Sequence, residues 1–331
     1  MSNVLGRILV TGGAGYIGSV VAAGLIETGY RVTILDDLST GFREAVPAGA
    51  EFIEGRIQDA AEVLDSSYTV VMHLAAVAEV GESMISPEKY WDTNVLGSFA
   101  LIRAMRKAGV RTLVFSSTCA VYGEPATGVI SESTPTAPVN PYGASKLAVD
   151  HMIAGESAAH GLAAVSLRYF NVAGAVGSRG ERHDPESHLI PLVLQVAQGQ
   201  REAISIYGDD YPTPDGTCVR DYIHVADLAE AHLLALDAAV PGEHLVCNLG
   251  NGNGFSVREV IAAARKVTGH PLPEIVAPRR PGDPATLVAS SARARERLGW
   301  TPCRSNLSEM VRDAWNFAQA TAASEPTGTC P

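Results

Sequence analysis

Residues 7–18 read RILVTGGAGYIG. RILVT (7–11) has the short apolar run of a buried β-strand. Gly12, Gly15 and Gly18 follow in the pattern G-x-x-G-x-x-G. From there Ile17, Val20, Val21, Ala23 and Leu25 recur at helical spacing, which predicts a helix over 15–28. A strand that passes through glycines into a helix is the first turn of a dinucleotide-binding unit. One glycine makes the tight turn, one lets a pyrophosphate approach the backbone, and one lets the helix pack close to the strand. The free N–H groups at the helix start then face the phosphates.

The pattern continues outward. RVTIL (31–35) is a second strand and ends at Asp36 and Asp37, 18 residues beyond Gly18. A carboxylate at that place accepts from the hydroxyls of an adenosine ribose and repels a 2′-phosphate, so NAD is favoured over NADP. Further strands are predicted at 51–53, 69–73, 111–116 and 164–169, with helices at 90–107 and 142–156. Regular β-α-β alternation predicts an α/β fold with a doubly wound, Rossmann-like parallel sheet over residues 1–175. Beyond it the pattern loosens into long loops at 174–186, 207–216 and 278–284. Helical segments at 189–198, 225–238, 256–268 and 307–321 lie around these loops. This predicts a second, smaller α/β substrate-binding domain over 176–321, with an interleaved boundary, and a disordered tail at 322–331.

Composition narrows the function class. The 331 residues carry 36 acids against 25 Lys+Arg, a net charge of −11, which excludes a broad basic face for nucleic acid. No apolar run approaches a membrane span of about 18 residues. The chain enters a strand almost at once, so no signal peptide is expected. Five scattered cysteines form no Cys-x-x-Cys or Cys/His cluster. They predict reduced thiols in the cytoplasm and no metal.

Chemistry is signalled by Tyr142-Gly143-Ala144-Ser145-Lys146. Positions i and i+4 share one helix face, and an ammonium there would stabilise a phenolate and lower the tyrosine pKa. The strand end Ser116-Ser117-Thr118 offers hydroxyls to a reacting oxygen. His224, in DYIHV, reads as a structural histidine.

With these features in place, the chain resembles the extended short-chain dehydrogenase/reductase family, and within it the UDP-glucose 4-epimerase group. The resemblance spans residues 7 to about 315 and is carried by VTGGAGYIGS (10–19), LDDLSTG (35–41), HLAA (73–76), VGESMISPEKYWDTNVLG (80–97), FSSTCAVYG (115–123), PYGASK (141–146), LRYFNVAGA (167–175), YGDDYPTPDGTCVRDYIHVADLA (207–229), CNLG (247–250) and APRRPGDPATLVAS (277–290). The run 207–229 lies outside the cofactor half and is what points to the epimerase group.

The resemblance implies an isomerase that interconverts UDP-galactose and UDP-glucose through a 4-keto intermediate, with NAD. It implies Tyr142 as catalytic base and acid, Lys146 as its partner, and Thr118 as a bridge from tyrosine to sugar. It assigns cofactor contacts to Gly12, Gly15, Tyr16, Ile17, Gly18, Asp36, Asp37, Leu38, Ser39, Thr40, Ile57, Leu74, Ala75, Ala76, Asn94, Ser117, Tyr142, Lys146, Tyr169 and Phe170. The UDP-sugar side falls to Thr118, Asn171, His188, Leu189, Tyr207, Arg220, Arg280 and Asp283, with Leu287 beside the sugar C2 substituent. It also implies a homodimer through the helices at 90–107 and 142–156.

Two departures stand out. Arg56 occupies the Gly-x-Ile tripeptide where many relatives carry an acid toward adenine. Ala78 stands where some carry a lysine. Competing readings are a nucleotide-sugar 4,6-dehydratase and a non-enzymatic NAD-sensing regulator. The first usually has two carboxylates after Thr118, where this chain has Cys119 and Ala120. The second usually lacks the Tyr/Lys pair.

Overall fold

The computed structural model describes residues 5–125, 129–280 and 283–324. Strands β1 (Arg7–Thr11), β2 (Arg31–Asp36), β3 (Glu51–Glu54), β4 (Tyr68–His73) and β5 (Thr112–Thr118) join Ala163–Tyr169 and His244–Leu249 in one sheet. From one edge the order is β3, β2, β1, β4, β5, 163–169, 244–249. Every pairing in it is parallel. The order reverses between β1 and β4, which opens a crevice at their carboxyl ends. The expected doubly wound sheet is present.

The strands are nearly continuous runs of buried residues, because helices cover both faces. Helix α1 (Tyr16–Glu27) packs Val20, Val21 and Leu25 into a core with Ile8, Val10 and Ile34 on one face. Leu101, Met105, Val149 and Ile153 build the core on the other.

The second region is built around Val219–His224. That strand pairs antiparallel with Gly254–Ser256 and parallel with Thr286–Ala289 and Asn171–Ala173. Its core joins Ile190, Val193, Tyr222, Val260, Ile261 and Met310.

The interleaving is deeper than a boundary at 175 implies. Helix Val225–Ala238 packs Leu228, Ala231 and Ala235 into the first core, and His244–Leu249 edges the large sheet. In the other direction, Val129–Ile130 pairs with Thr286–Ala289 in the second sheet. These crossings follow from apolar faces that meet only in three dimensions, so sequence adjacency does not reveal them. The last helix runs Leu307–Ser324 and continues past residue 321, where a tail was expected. The remaining tail, 325–331, lies outside the described residues.

One further difference concerns the helix expected at 90–107. It is a short turn Pro87–Tyr90, a π-helical turn Trp91–Leu96, and then helix Gly97–Ala108. The wide turn carries Asn94 into the interior, where it is 2% exposed.

Candidate active site

A cleft of about 470 Å³ opens at the ends of β1, β4 and β5. The glycine turn forms its floor. Gly12 has a φ of +74°, and a Cβ there would lie 2.5 Å from the Ala75 backbone nitrogen. A Cβ at Gly18 would lie 2.0 Å from the Gly12 carbonyl oxygen, so only glycine lets α1 sit this close to β1. Gly15 is different. Within 4 Å its Cβ would meet only that same oxygen, at 3.4 Å, and the residue lines the cleft. The space left by its missing side chain belongs to a ligand. Gly15 also caps α1 without a side-chain acceptor, and the first turn of α1 holds no acid. Its N–H groups are thus left for an anion, and the site fits the pyrophosphate of a dinucleotide.

Asp36 is fixed beside this turn. Its carboxylate accepts from Ala14 N and Leu38 N, both at 2.9 Å. Burial raises its pKa and the two N–H groups act against that. A carboxylate has about four acceptor positions, so two bonds leave capacity for ribose hydroxyls. Asp37, Ser39, Thr40 and Ile57 line the same end, with Arg56, which is ion-paired to Asp92 at 3.1 Å. Leu38 holds a left-handed conformation and is not on the cleft wall.

At the other end stand the reactive groups. Helix Pro141–His160 begins with Asn140, whose side chain accepts from Gly143 N at 2.8 Å. This cap sets Tyr142 in the first turn and Lys146 one turn on. Thr118 ends β5, and its hydroxyl oxygen accepts from Ala120 N at 3.2 Å. Tyr142, Thr118, Tyr169, Phe170 and Asn171 all line the cleft.

The pKa lowering expected at Tyr142 is corrected by the structure. Burial pushes the phenol well above its usual value, with the neighbouring Thr118 hydroxyl only partly offsetting it. Lys146 is itself 2% exposed, and burial pulls its ammonium down to about 7, with Asp150 acting the other way. Its Nζ donates to the Ser116 carbonyl at 2.8 Å, and Lys146 does not line the cleft. Ser117 likewise points away and donates to Asp150 at 3.2 Å. Asp150 also takes Arg168 Nη2 at 2.8 Å in a buried pair.

Other expected residues fall in distinct places. Tyr16, Ile17, Leu74, Ala75, Ala76 and His188 line the cleft. Asn94 is spent on the backbone of Val77, accepting its N–H at 2.9 Å and donating to its carbonyl at 3.0 Å. Leu189 opens helix Leu189–Ala197. Arg220 pairs with Asp283, and Arg280 lies 3.9 Å over the Tyr207 ring; these four do not line the described cleft. Leu287 packs with Val121, Tyr122, Phe170 and Ala289. His224 is structural: its Nδ1 accepts from Ala226 N at 3.0 Å at a helix start, and its Nε2 meets Asp313 at 3.1 Å.

Lys89, Glu181 and His183 also line the cleft and were not anticipated. For the last two a signal existed in the spacing E-x-H-x-x-E-x-H of residues 181–188. Burial opposes charge on these histidines, yet Glu181 and Glu186 raise His183 to about 9 and His188 to about 11.

A dinucleotide cradle and a tyrosine–threonine pair thus share one cleft. A family model described as the NAD dependent epimerase/dehydratase family matches residues 8–250. The chain belongs to that family.

Among relatives of this epimerase/dehydratase chain is the UDP-glucose 4-epimerase of Streptomyces lividans. It is 67% identical over 319 residues, which cover 94% of this chain and 96% of that protein. The fold superimposes on the UDP-glucose 4-epimerase of Brucella ovis in complex with NAD, with a TM-score of 0.90 and 44% identity, over 94% of this chain and 98% of that one. It also superimposes on the Bifidobacterium longum enzyme in complex with NAD+ and UDP, with a TM-score of 0.89 and 36% identity, over 96% and 99%.

Proposed function

We propose that the chain is a UDP-glucose 4-epimerase that interconverts UDP-galactose and UDP-glucose by reversible hydride transfer at sugar C4. The observation that carries this is the placement of Tyr142 and Thr118 in the same cleft as the Gly12–Gly18 turn and Asp36. The names of the relatives support the choice of substrate.

Gly12, Gly15, Gly18 and the start of α1 hold the pyrophosphate of NAD, and Asp36 its ribose. NAD held there would supply an acceptor, and in reduced form a donor, for the hydride at C4. Tyr142 takes the proton of the sugar 4-hydroxyl and later gives it back. Thr118, on the same cleft wall, offers its hydroxyl to that oxygen. Lys146 acts from below, holding the strand end through Ser116. Tyr207, Arg220, Arg280 and Asp283 form the nucleotide side, with arginines suited to a diphosphate. For Arg220 that role requires exchanging Asp283 for phosphate.

Dehydration is disfavoured because Thr118 is followed by Cys119 and Ala120. Burial raises the Cys119 thiol to about 12, so it stays neutral and acts as neither carboxylate. Incubation with UDP-galactose followed by chromatography tests the assignment. UDP-glucose is expected. A 4-keto-6-deoxy sugar would establish the dehydratase, and unchanged substrate would favour a regulator.

The working form proposed is a homodimer. Trp91, Leu96 and Phe99 are 42, 56 and 46% exposed, a cluster of large apolar residues along one helical segment. A second copy covers such a surface well. Sedimentation of Leu96→Glu against the parent chain checks it: dissociation is expected, and an unchanged mass would move the interface elsewhere. No helix of the described residues is long and apolar enough to cross a membrane. The four cysteines among the described residues are free thiols, which supports a reducing, cytoplasmic setting.

A further inference from the structure

We infer that Glu181, His183, Glu186 and His188 bind one divalent transition-metal ion, best matched by Zn²⁺, which pins the loop between strand Arg179–Gly180 and helix Leu189–Ala197 to the wall of the cleft. One donor atom from each lies within 4.8 Å of all the others. His188 Nδ1 stands 2.9 Å from Glu181 Oε1 and 3.3 Å from Glu186 Oε1. His183 Nδ1 stands 3.4 Å from Glu181 Oε1 and 3.7 Å from Glu186 Oε2. A tetrahedral ion with bonds of about 2.0–2.2 Å sets its donors about 3.3–3.6 Å apart. These contacts, which reach both oxygens of Glu186, run from 2.9 to 3.7 Å and bracket that spacing.

A plain imidazole–carboxylate cluster would aim each Nδ1 at a carboxylate oxygen. Here both Nδ1 atoms are buried, and neither makes a hydrogen bond of acceptable geometry despite these short distances. Binding an ion releases the protons of both imidazoles; the two carboxylates then balance a divalent charge, and this N₂O₂ set suits zinc better than the harder calcium or magnesium ions.

The surroundings hold the ligands in place. Glu186 Oε1 accepts from the backbone N–H groups of Ser187 and His188, both at 2.8 Å. The Ser187 hydroxyl donates to Glu79. Such outer contacts fix ligand orientation. The cluster lines both the main cleft and a second cavity of about 220 Å³, so an ion has a path in. Four protein ligands leave a tetrahedral ion no open position. The ion is therefore a structural staple and not a Lewis acid for the sugar.

The test uses untagged, full-length protein with its cofactor, stripped of metal by a chelator. Co²⁺ is titrated and followed by its visible absorption, and bound Zn²⁺ is counted by elemental analysis. The expectation is one equivalent per chain, intense tetrahedral Co²⁺ bands, and a Zn²⁺-dependent rise in Tm. His183→Ala and Glu186→Gln should each weaken binding by at least the ~10-fold that losing even an outer-shell partner costs. Retained NAD and an unchanged circular dichroism spectrum show that the variants are folded. If the parent chain binds no stoichiometric ion, or if folded variants bind as well as it does, the site is an ion-pair cluster and the inference is overturned. The Co²⁺ spectrum of the parent chain decides this even if both variants fail to fold.

Discussion

Lys146 Nζ reaches across to the Ser116 carbonyl at 2.8 Å and ties the helix that carries Tyr142 to the strand that ends in Thr118. The ammonium also lies 4.9 Å from the centre of the Phe115 ring. The relative placement of phenol and threonine hydroxyl thus depends on a group that lies below the cleft rather than in it. Buried, with burial pulling its pKa to about 7, Lys146 is as much a positional anchor as a charge.

Tyr142→Phe should lower turnover of UDP-galactose by at least about 100-fold, the lower end of a general acid–base contribution. Only a hydroxyl is removed, so the fold and the bound cofactor should persist. Steady-state rates and the NAD content of the same preparation check this. Near-normal turnover would mean that another group moves the proton.

Lys146→Met should change how stability varies with pH. The lysine pKa is 10.5 in the unfolded chain and about 7 in the fold. Between those values the unfolded chain binds more protons than the folded one. Unfolding free energy must therefore rise with pH across that window, by up to ~1.4 kcal/mol per unit. Methionine removes this dependence. Its stability relative to the parent chain should be greatest near pH 7 and should decline towards pH 9. Urea titrations of the cofactor-free chains measure it, and parallel curves would show an unperturbed lysine.

The purified protein should carry NAD, and denaturation should release NAD rather than NADP. Asp36 cannot swing aside for a 2′-phosphate, because Ala14 N and Leu38 N each hold one of its oxygens at 2.9 Å. Replacing it with alanine should cost NAD binding about 1.5–3 kcal/mol, the usual worth of a charged hydrogen bond, or roughly 10- to 100-fold. Enzymatic assay of the released dinucleotide and calorimetry on the variant test both points. Predominant NADP would refute the role given to Asp36.

What the sequence made legible is local. The glycine turn, the acid at the end of β2 and the tyrosine one turn ahead of its lysine each lie within one strand–helix unit, where spacing alone dictates geometry. Val219–His224 and Asn171–Ala173 were not foreseen as strands, because their partners lie far away in sequence. Asn94 illustrates a different limit. The resemblance makes it a cofactor contact, yet here its amide is bonded to Val77 and Ser145. Its π-helical turn was not visible in the apolar periodicity. The spacing E-x-H-x-x-E-x-H of residues 181–188 reads as loop by composition, and only the fold brings its four side chains together.

Leu287 is proposed to set the choice of sugar. It sits in register with Arg220 across paired strands and packs against the cluster that contains Phe170, which lines the cleft. A larger side chain there presses on the cluster against which Cys119 also packs and to which Phe170 belongs. Overfilling such a contact costs about 1–3 kcal/mol, and the strain is relieved by moving Phe170 or Cys119 into the space where a bulky C2 substituent would lie. The parent chain should therefore turn over UDP-galactose and UDP-glucose mainly and the N-acetylated sugars weakly. Leu287→Tyr should lower the N-acetyl activity by roughly tenfold or more, the equivalent of ~1.4 kcal/mol, with a smaller effect on UDP-galactose. Epimerisation of UDP-N-acetylglucosamine and UDP-galactose, measured side by side in both chains, separates the outcomes. An equal loss on both sugars would assign Leu287 to packing alone, and equal rates in the two chains would show that it does not gate the sugar.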